Sequence, residues 1–312
     1  NGYLDGLDDR LFMAVIRNGR LWTAHNISVN TSGTTTGPTR NGSRWYEIQN
    51  LNTVPALVQS GTVFDASLPN DTTKRNYWIP SLMISGQGHV AMGFSISGLN
   101  ERINCATVGR LAGDAAGTMQ TPVVYTASTT AYNPPADPGT GGARRWGDYS
   151  YTSVDPNDNM TMWTIQEFCN AMNSYGVQAV KLIAPPPAAP ASASPPTVST
   201  GMSNVNITVT GSSSGGSGFY DPGAAFPNRL AVSVAGAGIT VNSVTYTDPT
   251  HLIINIDVGG SAPNGSRTIT VTNPDGQLAT SSTGILTVAG PICSTITLSP
   301  ATLPAAAAGS AY

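Results

Sequence analysis

At 312 residues the chain is long enough for two or three domains with cores of their own, yet only 10% of it is charged, against roughly 25% in an ordinary soluble domain. Lys and Glu, good helix formers, give way to Thr, Val, Ile and Tyr, which suit pleated and half-buried surfaces, so the composition points to an all-β protein with uncharged polar faces. A formal net charge of −3, with basic residues scattered apart from Arg144–Arg145, argues against a nucleic-acid partner, and no apolar run nears the roughly 18 residues of a membrane span.

In chain order, LFMAVIR (11–17) and RLWTAHNIS (20–28) flank Asn18-Gly19, a two-residue turn suited to a type I′ hairpin. SRWYEIQ (43–49) and VQSGTVFD (58–65) extend that hairpin into a meander. A second set runs from NYWIPSLMIS (76–85) through Gly86-Gln87-Gly88 to HVAMGFSIS (89–97), followed by TPVVYTAS (121–128). A third opens with RWGDYSYTSVD (145–155), turns at 156–159 and returns as MTMWTIQEF (160–168). Sets two and three share an aromatic-led strand, a tight polar turn and a return strand expected to place an aromatic on its inner face. Repetition at this spacing predicts successive four-stranded units of the kind that form propeller blades over residues 1–183. With fewer than the four or so blades a closed ring needs, further blades are expected upstream of Asn1, and the chain reads as a mature or partial one.

The Pro/Ala-rich stretch 184–197 is expected to be an extended, semi-rigid spacer between independent domains. Beyond it, NVNITVTG (204–211), NRLAVSVAG (228–236), GITVNSVTYT (238–247), THLIINIDV (250–258), SRTITVTN (266–273) and GILTVAG (284–290) alternate apolar and polar positions at sandwich spacing. Asn273-Pro274-Asp275-Gly276 is a turn, with Pro fixing φ and Gly permitting a left-handed residue.

Two resemblances rest on these segments. Ser153, Asp155, Thr161 and Trp163 resemble the hairpin signature of the bacterial sialidase-like, Asp-box type β-propellers, with an enlarged turn lacking its Gly; Ser85 stands where the box aspartate would be in the other set. The "ITVTG" and "RTITVTNPDG" strands resemble the TIG or IPT-type immunoglobulin-like domain of bacterial surface proteins over 198–290, and 291–312 is similar to the opening of a further bacterial immunoglobulin-like repeat. The implied architecture is a partial propeller followed by an immunoglobulin-like β-sandwich.

Several groups could carry chemistry. Asp155, Asn157, Asp158 and Asn159 offer four oxygen-bearing side chains that could contribute to a Ca²⁺ site, the one cofactor suggested, or could bond their own turn backbone. A sialidase would need an arginine cluster, a Tyr nucleophile with a Glu partner and an acid/base Asp; Arg110, Arg144, Arg145, Tyr149, Tyr151, Asp148 and Glu167 are of the right types, but no repeat spacing brings three arginines together. The loop 132–149 is the expected binding rim, with Arg144, Arg145, Trp146 and Tyr149 as contacts, while Trp45, Tyr46, Trp78 and Trp163 are either sugar platforms or inter-sheet core. His25, His89 and His251 read as isolated strand residues. Cys105 and Cys169 are either a disulfide or two buried thiols, and Cys293 is either free or paired elsewhere. Asn26, Asn30, Asn41, Asn70, Asn159, Asn206 and Asn264 stand in glycosylation sequons.

The combined expectation is a bacterial secreted or cell-surface protein with a structural or adhesive role, such as matrix or filament building. Its partners would be other copies of itself, other surface proteins or glycans, and this segment would carry no catalysis. The alternative is a secreted sialidase-like glycoside hydrolase with its catalytic blades upstream.

Overall fold

The computed structural model describes residues 3–291, so Cys293 and the expected repeat beyond residue 291 lie outside the described residues. The described chain is all-β, with no α-helix among the described residues and a single three-residue 3₁₀ turn at Thr140–Gly142.

The first sheet is a meander of β1 (Leu11–Arg17), β2 (Arg20–Val29), β3 (Arg40–Gln49) and β4 (Ala56–Val63), antiparallel and in sequence order. Asn18 and Gly19 close its first hairpin with φ of 52° and 72°, the left-handed pair that a type I′ turn requires. The second sheet repeats the pattern with β5 (Arg75–Ile84), β6 (Val90–Gly98), β7 (Asn104–Arg110) and the two-residue β8 (Val123–Val124). The third contains β9 (Tyr151–Val154), β10 (Met162–Ala171) and β11 (Ser174–Leu182). Strands β7 and β11 escape the alternation reading because Asn, Gly and Gln interrupt them; what recruits them is the open edge of the preceding strand.

The sheets pack face to face in chain order, β2 and β3 against β5, then β5 and β6 against β9 and β10. Period-2 geometry puts Trp22, Ala24, Trp45 and Val63 on one face of the first sheet, where they meet Tyr77, Leu82, Met92 and Phe94 of the second. Val63, Leu82, Met92 and Phe94 each contribute about 1.5–3 kcal/mol on burial. Trp22 stacks on Trp45 at 5.8 Å, and Gly61 makes room for it, because a Cβ there would sit 2.8 Å from the Trp45 ring nitrogen.

Between the second and third sheets a polar contact lies beside the apolar cluster of Trp78, Ile79, Ile103, Trp146 and Cys169. Ser81, Thr152, Thr164 and Gln166 are all buried; Ser81 Oγ and Thr152 Oγ1 lie 2.8 Å apart, and Gln166 Nε2 donates to Thr164 Oγ1 at 2.8 Å. Register therefore turns Trp163 outward, where it is 40% exposed, against the expectation that the return strand would carry its aromatic inward. The three meanders form an open stack with no closed ring among the described residues.

The remaining strands enclose one further core. β12 (Ala189–Ser194), β14 (Val205–Ser212), β17 (His251–Val258) and β16 (Ile239–Asp248) form a four-stranded sheet in the order β12-β14-β17-β16. Opposite lie β15 (Ala231–Val234), β19 (Ile269–Thr272) and β20 (Leu278–Thr280), together with β13 (Thr197–Ser199), β21 (Leu286–Ala289) and β18 (Gly265–Arg267). Ile207, Val209, Phe219, Leu252, Ile254, Ile256, Ile269, Val271, Leu286 and Val288 fill the space between them.

The expectation of a spacer over 184–197 is corrected by this packing. Ala189–Ser194 is an edge strand paired with β14, and Ala188 and Ala193 are part of the core. Pro190 is tolerated there because an edge strand has a side that needs no N–H donors.

Candidate functional site

A concavity lies where the second sheet meets the sandwich. The joint beside it is built on Asn159, whose left-handed φ of 56° ends the 155–161 turn. The Asn159 carboxamide accepts from the Arg17 guanidinium and donates to Tyr220 Oη at 2.9 Å, while its backbone carbonyl accepts from Gly86 N–H at 2.7 Å. Gly86 can have no side chain, because a Cβ would fall 1.8 Å from Tyr220 Oη. Asn228 N–H donates to the Asn157 carbonyl at 3.0 Å, and Gln277 Nε2 to that of Ala184 at 2.7 Å, so sheet and sandwich are joined by hydrogen bonds at several points.

The sandwich side of this joint is positioned by the Asn273–Gly276 turn. Asn273 is buried, its Nδ2 donates to the Gly218 carbonyl at 2.8 Å and its Oδ1 accepts from Tyr220 N–H at 3.1 Å. A turn visible in the sequence thereby holds the 217–220 loop against the neighbouring sheet.

A cavity of ≈ 510 Å³ opens beside the seam, with Gln87, His89, Asp114, Tyr220 and Tyr246 as its main polar walls and Leu111 and Pro249 as apolar ones. His89 Nδ1 accepts from Ala112 N–H at 3.0 Å, which puts the proton of the neutral ring on Nε2. Burial holds the His89 pKa below its ordinary value, partly offset by Asp114, and burial raises those of Tyr220 and Tyr246. These groups are therefore neutral at pH 7. Arg110, buried beneath the 111–115 loop, donates to Gln59 Oε1 at 3.2 Å and to the Asp114 carbonyl at 2.8 Å, and Asp114 Oδ2 accepts from Leu111 N–H at 2.8 Å. Both wall loops are thus fixed from behind.

The residues singled out from the sequence fall elsewhere or serve the scaffold. In the suggested Ca²⁺ turn, Asp155 Oδ1 accepts from Asn157 N–H at 3.0 Å and its Oδ2 from Trp163 Nε1 at 3.2 Å. Asp158, buried, accepts from Met160 and Thr161 N–H, both at 2.8 Å. The side chains of Asp155, Asn157 and Asp158 bond within their own turn, while that of Asn159 meets Arg17 and Tyr220.

In the expected rim loop, Trp146 is buried, donates from Nε1 to Ser95 Oγ at 3.2 Å and meets Tyr132 edge-on at 4.9 Å. Arg144 Nε donates to Asn133 Oδ1 at 2.8 Å, and exposed Arg145 pairs with Asp148 at 3.1 Å. Only Arg145, Asp148 and Tyr149 of this group face solvent freely. Trp45 and Trp78 are core side chains, not platforms. Tyr151 stands on the outward face of the third sheet, and Glu167, whose pKa is raised by burial and by Asp148, lies against Gly147.

Cys105 and Cys169 are two buried free thiols, the second of the two alternatives. Burial pushes the Cys105 thiol up to about 12, which makes it unreactive. Among the sequons, Asn26 is buried and bonded to Gly6 and Ile79, Asn159 is held in the seam, and Asn30 and Asn41 are partly buried in side-chain hydrogen bonds; Asn70, Asn206 and Asn264 are exposed.

A second groove, of ≈ 670 Å³, lies at the other end of the stack beside Asp65, Arg75 and Glu101. Arg75 is ion-paired with Glu101 and Arg40 approaches Asp65 at 3.7 Å, and exposed Arg102 also lines the groove. Gly86, Gln87 and Gly88 read as a turn in the sequence, and nothing local there or in 211–218 signals that the fold brings the two segments to one cavity.

No protein-family model matches the chain, and no curated protein matches it.

Proposed function

We propose that the chain is a rigid stretch of an extracellular, modular structural or adhesive protein, built from propeller-type sheets and an immunoglobulin-like sandwich, with its joints stiffened for holding surfaces or neighbouring subunits at a set distance. The observation that carries this reading is the seam at Asn159, where backbone and side-chain hydrogen bonds tie the sheet stack to the sandwich. A flexible tether would leave the two modules free; a hydrogen-bonded joint with glycines cleared for close approach resists bending. The arginines a sialidase would aim at a substrate carboxylate are engaged in scaffold contacts instead, Arg110 with loop carbonyls and Arg144 with Asn133, which favours the non-catalytic reading. Low charge and neutral polar faces suit contact with glycans or with like subunits.

Small-angle scattering of the purified chain, combined with incubation on a panel of sialylated and neutral aryl glycosides, tests the proposal. One fixed envelope with uncleaved glycosides is expected. A broad spread of inter-module angles, or turnover of any glycoside, would overturn it and favour a hydrolase.

A further inference from the structure

The junction cavity has the size and chemistry of a ligand site, since small-molecule sites favour module interfaces and typically occupy roughly 300–1,000 Å³. We infer that the cavity between the 86–89 turn, the 111–114 loop and the 213–220 loop binds a neutral carbohydrate of one or two rings. This deepens the glycan-contact part of the function proposed above and rests on it.

Four observations support the assignment. Gln87 lines the cavity, and its Oε1, closed off from solvent, has no hydrogen-bond partner, so no bond is broken when the carboxamide turns this acceptor toward a ligand hydroxyl. His89 has Nδ1 committed to Ala112, which leaves Nε2–H as a donor. Tyr220 Oη accepts from Asn159, leaving its own hydrogen to donate, and Tyr246 lines the same wall. Leu111 and Pro249 offer apolar surface of the kind that covers the C–H face of a sugar ring.

The same wall discriminates against other ligands. Its residues include the carboxylate Asp114 and no Lys or Arg, which disfavours phosphates and acidic sugars. A lone carboxylate beside a neutral imidazole is a poor cation cage, and no cluster of three His, Cys, Asp or Glu residues occurs among the described residues. Seven polar side chains line it, a wall poorly matched to an apolar ligand.

The site is also preformed. Gly216, with φ of 82°, lets the sandwich loop approach Leu111, since a Cβ there would meet the leucine at 2.4 Å, and Asn273 and Arg110 hold the two wall loops from behind. A ligand would meet little ordering cost on entry.

The test uses the full chain and saturation-transfer and ¹⁵N-shift NMR with glucose, galactose, mannose, N-acetylglucosamine, N-acetylgalactosamine, lactose and cellobiose, with sialic acid and glucose 6-phosphate as charged controls. At least one neutral sugar is expected to bind, shifting amides of residues 86–89, 111–114 and 213–220. Gln87→Leu and Tyr246→Phe, separately, should weaken it at least tenfold while leaving the folded spectrum intact. No binding by any neutral sugar at millimolar concentration overturns the inference. So do shifts confined to another surface, tighter binding of a charged control, or unchanged affinity in both variants. Scattering on the same samples separates the two proposals: loss of sugar binding with a fixed envelope rejects the site and leaves the rigid scaffold standing.

Discussion

Several side chains with the type and exposure expected of functional groups are, at the residue scale, anchors. Asn159 is the clearest case, because a sequon and a turn position in the sequence become a three-way connector once Arg17, Gly86 and Tyr220 surround it. His89 is another, and its protonation has a consequence for stability. Burial holds its folded pKa below the ordinary value, so on acidification the unfolded chain takes up the proton first, and ∂ΔG/∂pH is positive in that window. Its contribution is whole above the unfolded value of about 6.5 and is lost as pH falls below it. His25 shifts the same way, from burial and then from Arg44. The melting temperature should therefore fall as pH drops from about 7.5 to about 5, and His89→Gln should flatten part of that fall; an identical slope in wild type and variant would assign the effect to His25 instead.

At the scale of elements, the stack and the sandwich obey the period-2 rule wherever a strand is buried on one face. β17 shows it best, with Leu252, Ile254, Ile256 and Val258 inward and the residues between them less buried. β12 is the exception, an Ala/Pro/Ser segment with little β propensity that forms because β14 offers an open edge and two alanines fit the core. Ala193→Asp should accordingly lower the stability of the sandwich by about 2–5 kcal/mol, since it buries an unpaired carboxylate. Urea denaturation followed by fluorescence checks this; an unchanged midpoint would return the segment to the role of a spacer.

At the scale of the whole molecule, coupling between the stack and the sandwich rests on a few hydrogen bonds at one seam, each contributing about 1 kcal/mol net. Cooperative unfolding of the two halves depends on that margin. Asn159→Gly keeps the left-handed backbone and deletes the side-chain bridge, so calorimetry should resolve one transition in the wild type into two in the variant. Two transitions already present in the wild type would mean that the seam does not couple the modules.

The sequence by itself determined the all-β class, the hairpin at Asn18-Gly19, most of the strands with clean alternation, and the turn at Asn273–Gly276. Those features depend on neighbours a few residues away, through φ preferences and the two-residue period of the pleat. Tertiary structure alone decided that Trp146 is core rather than rim, that Trp163 faces outward, that Ala189–Ser194 is sheet, and that two buried cysteines stay unpaired. It also decided that Gln87, His89, Tyr220 and Tyr246 line one cavity, although the sequence sets them in two modules. The physical reason is common to all of these: partners distant along the chain fix burial, edge pairing and cavity walls, and neither propensity nor period encodes which distant partner arrives.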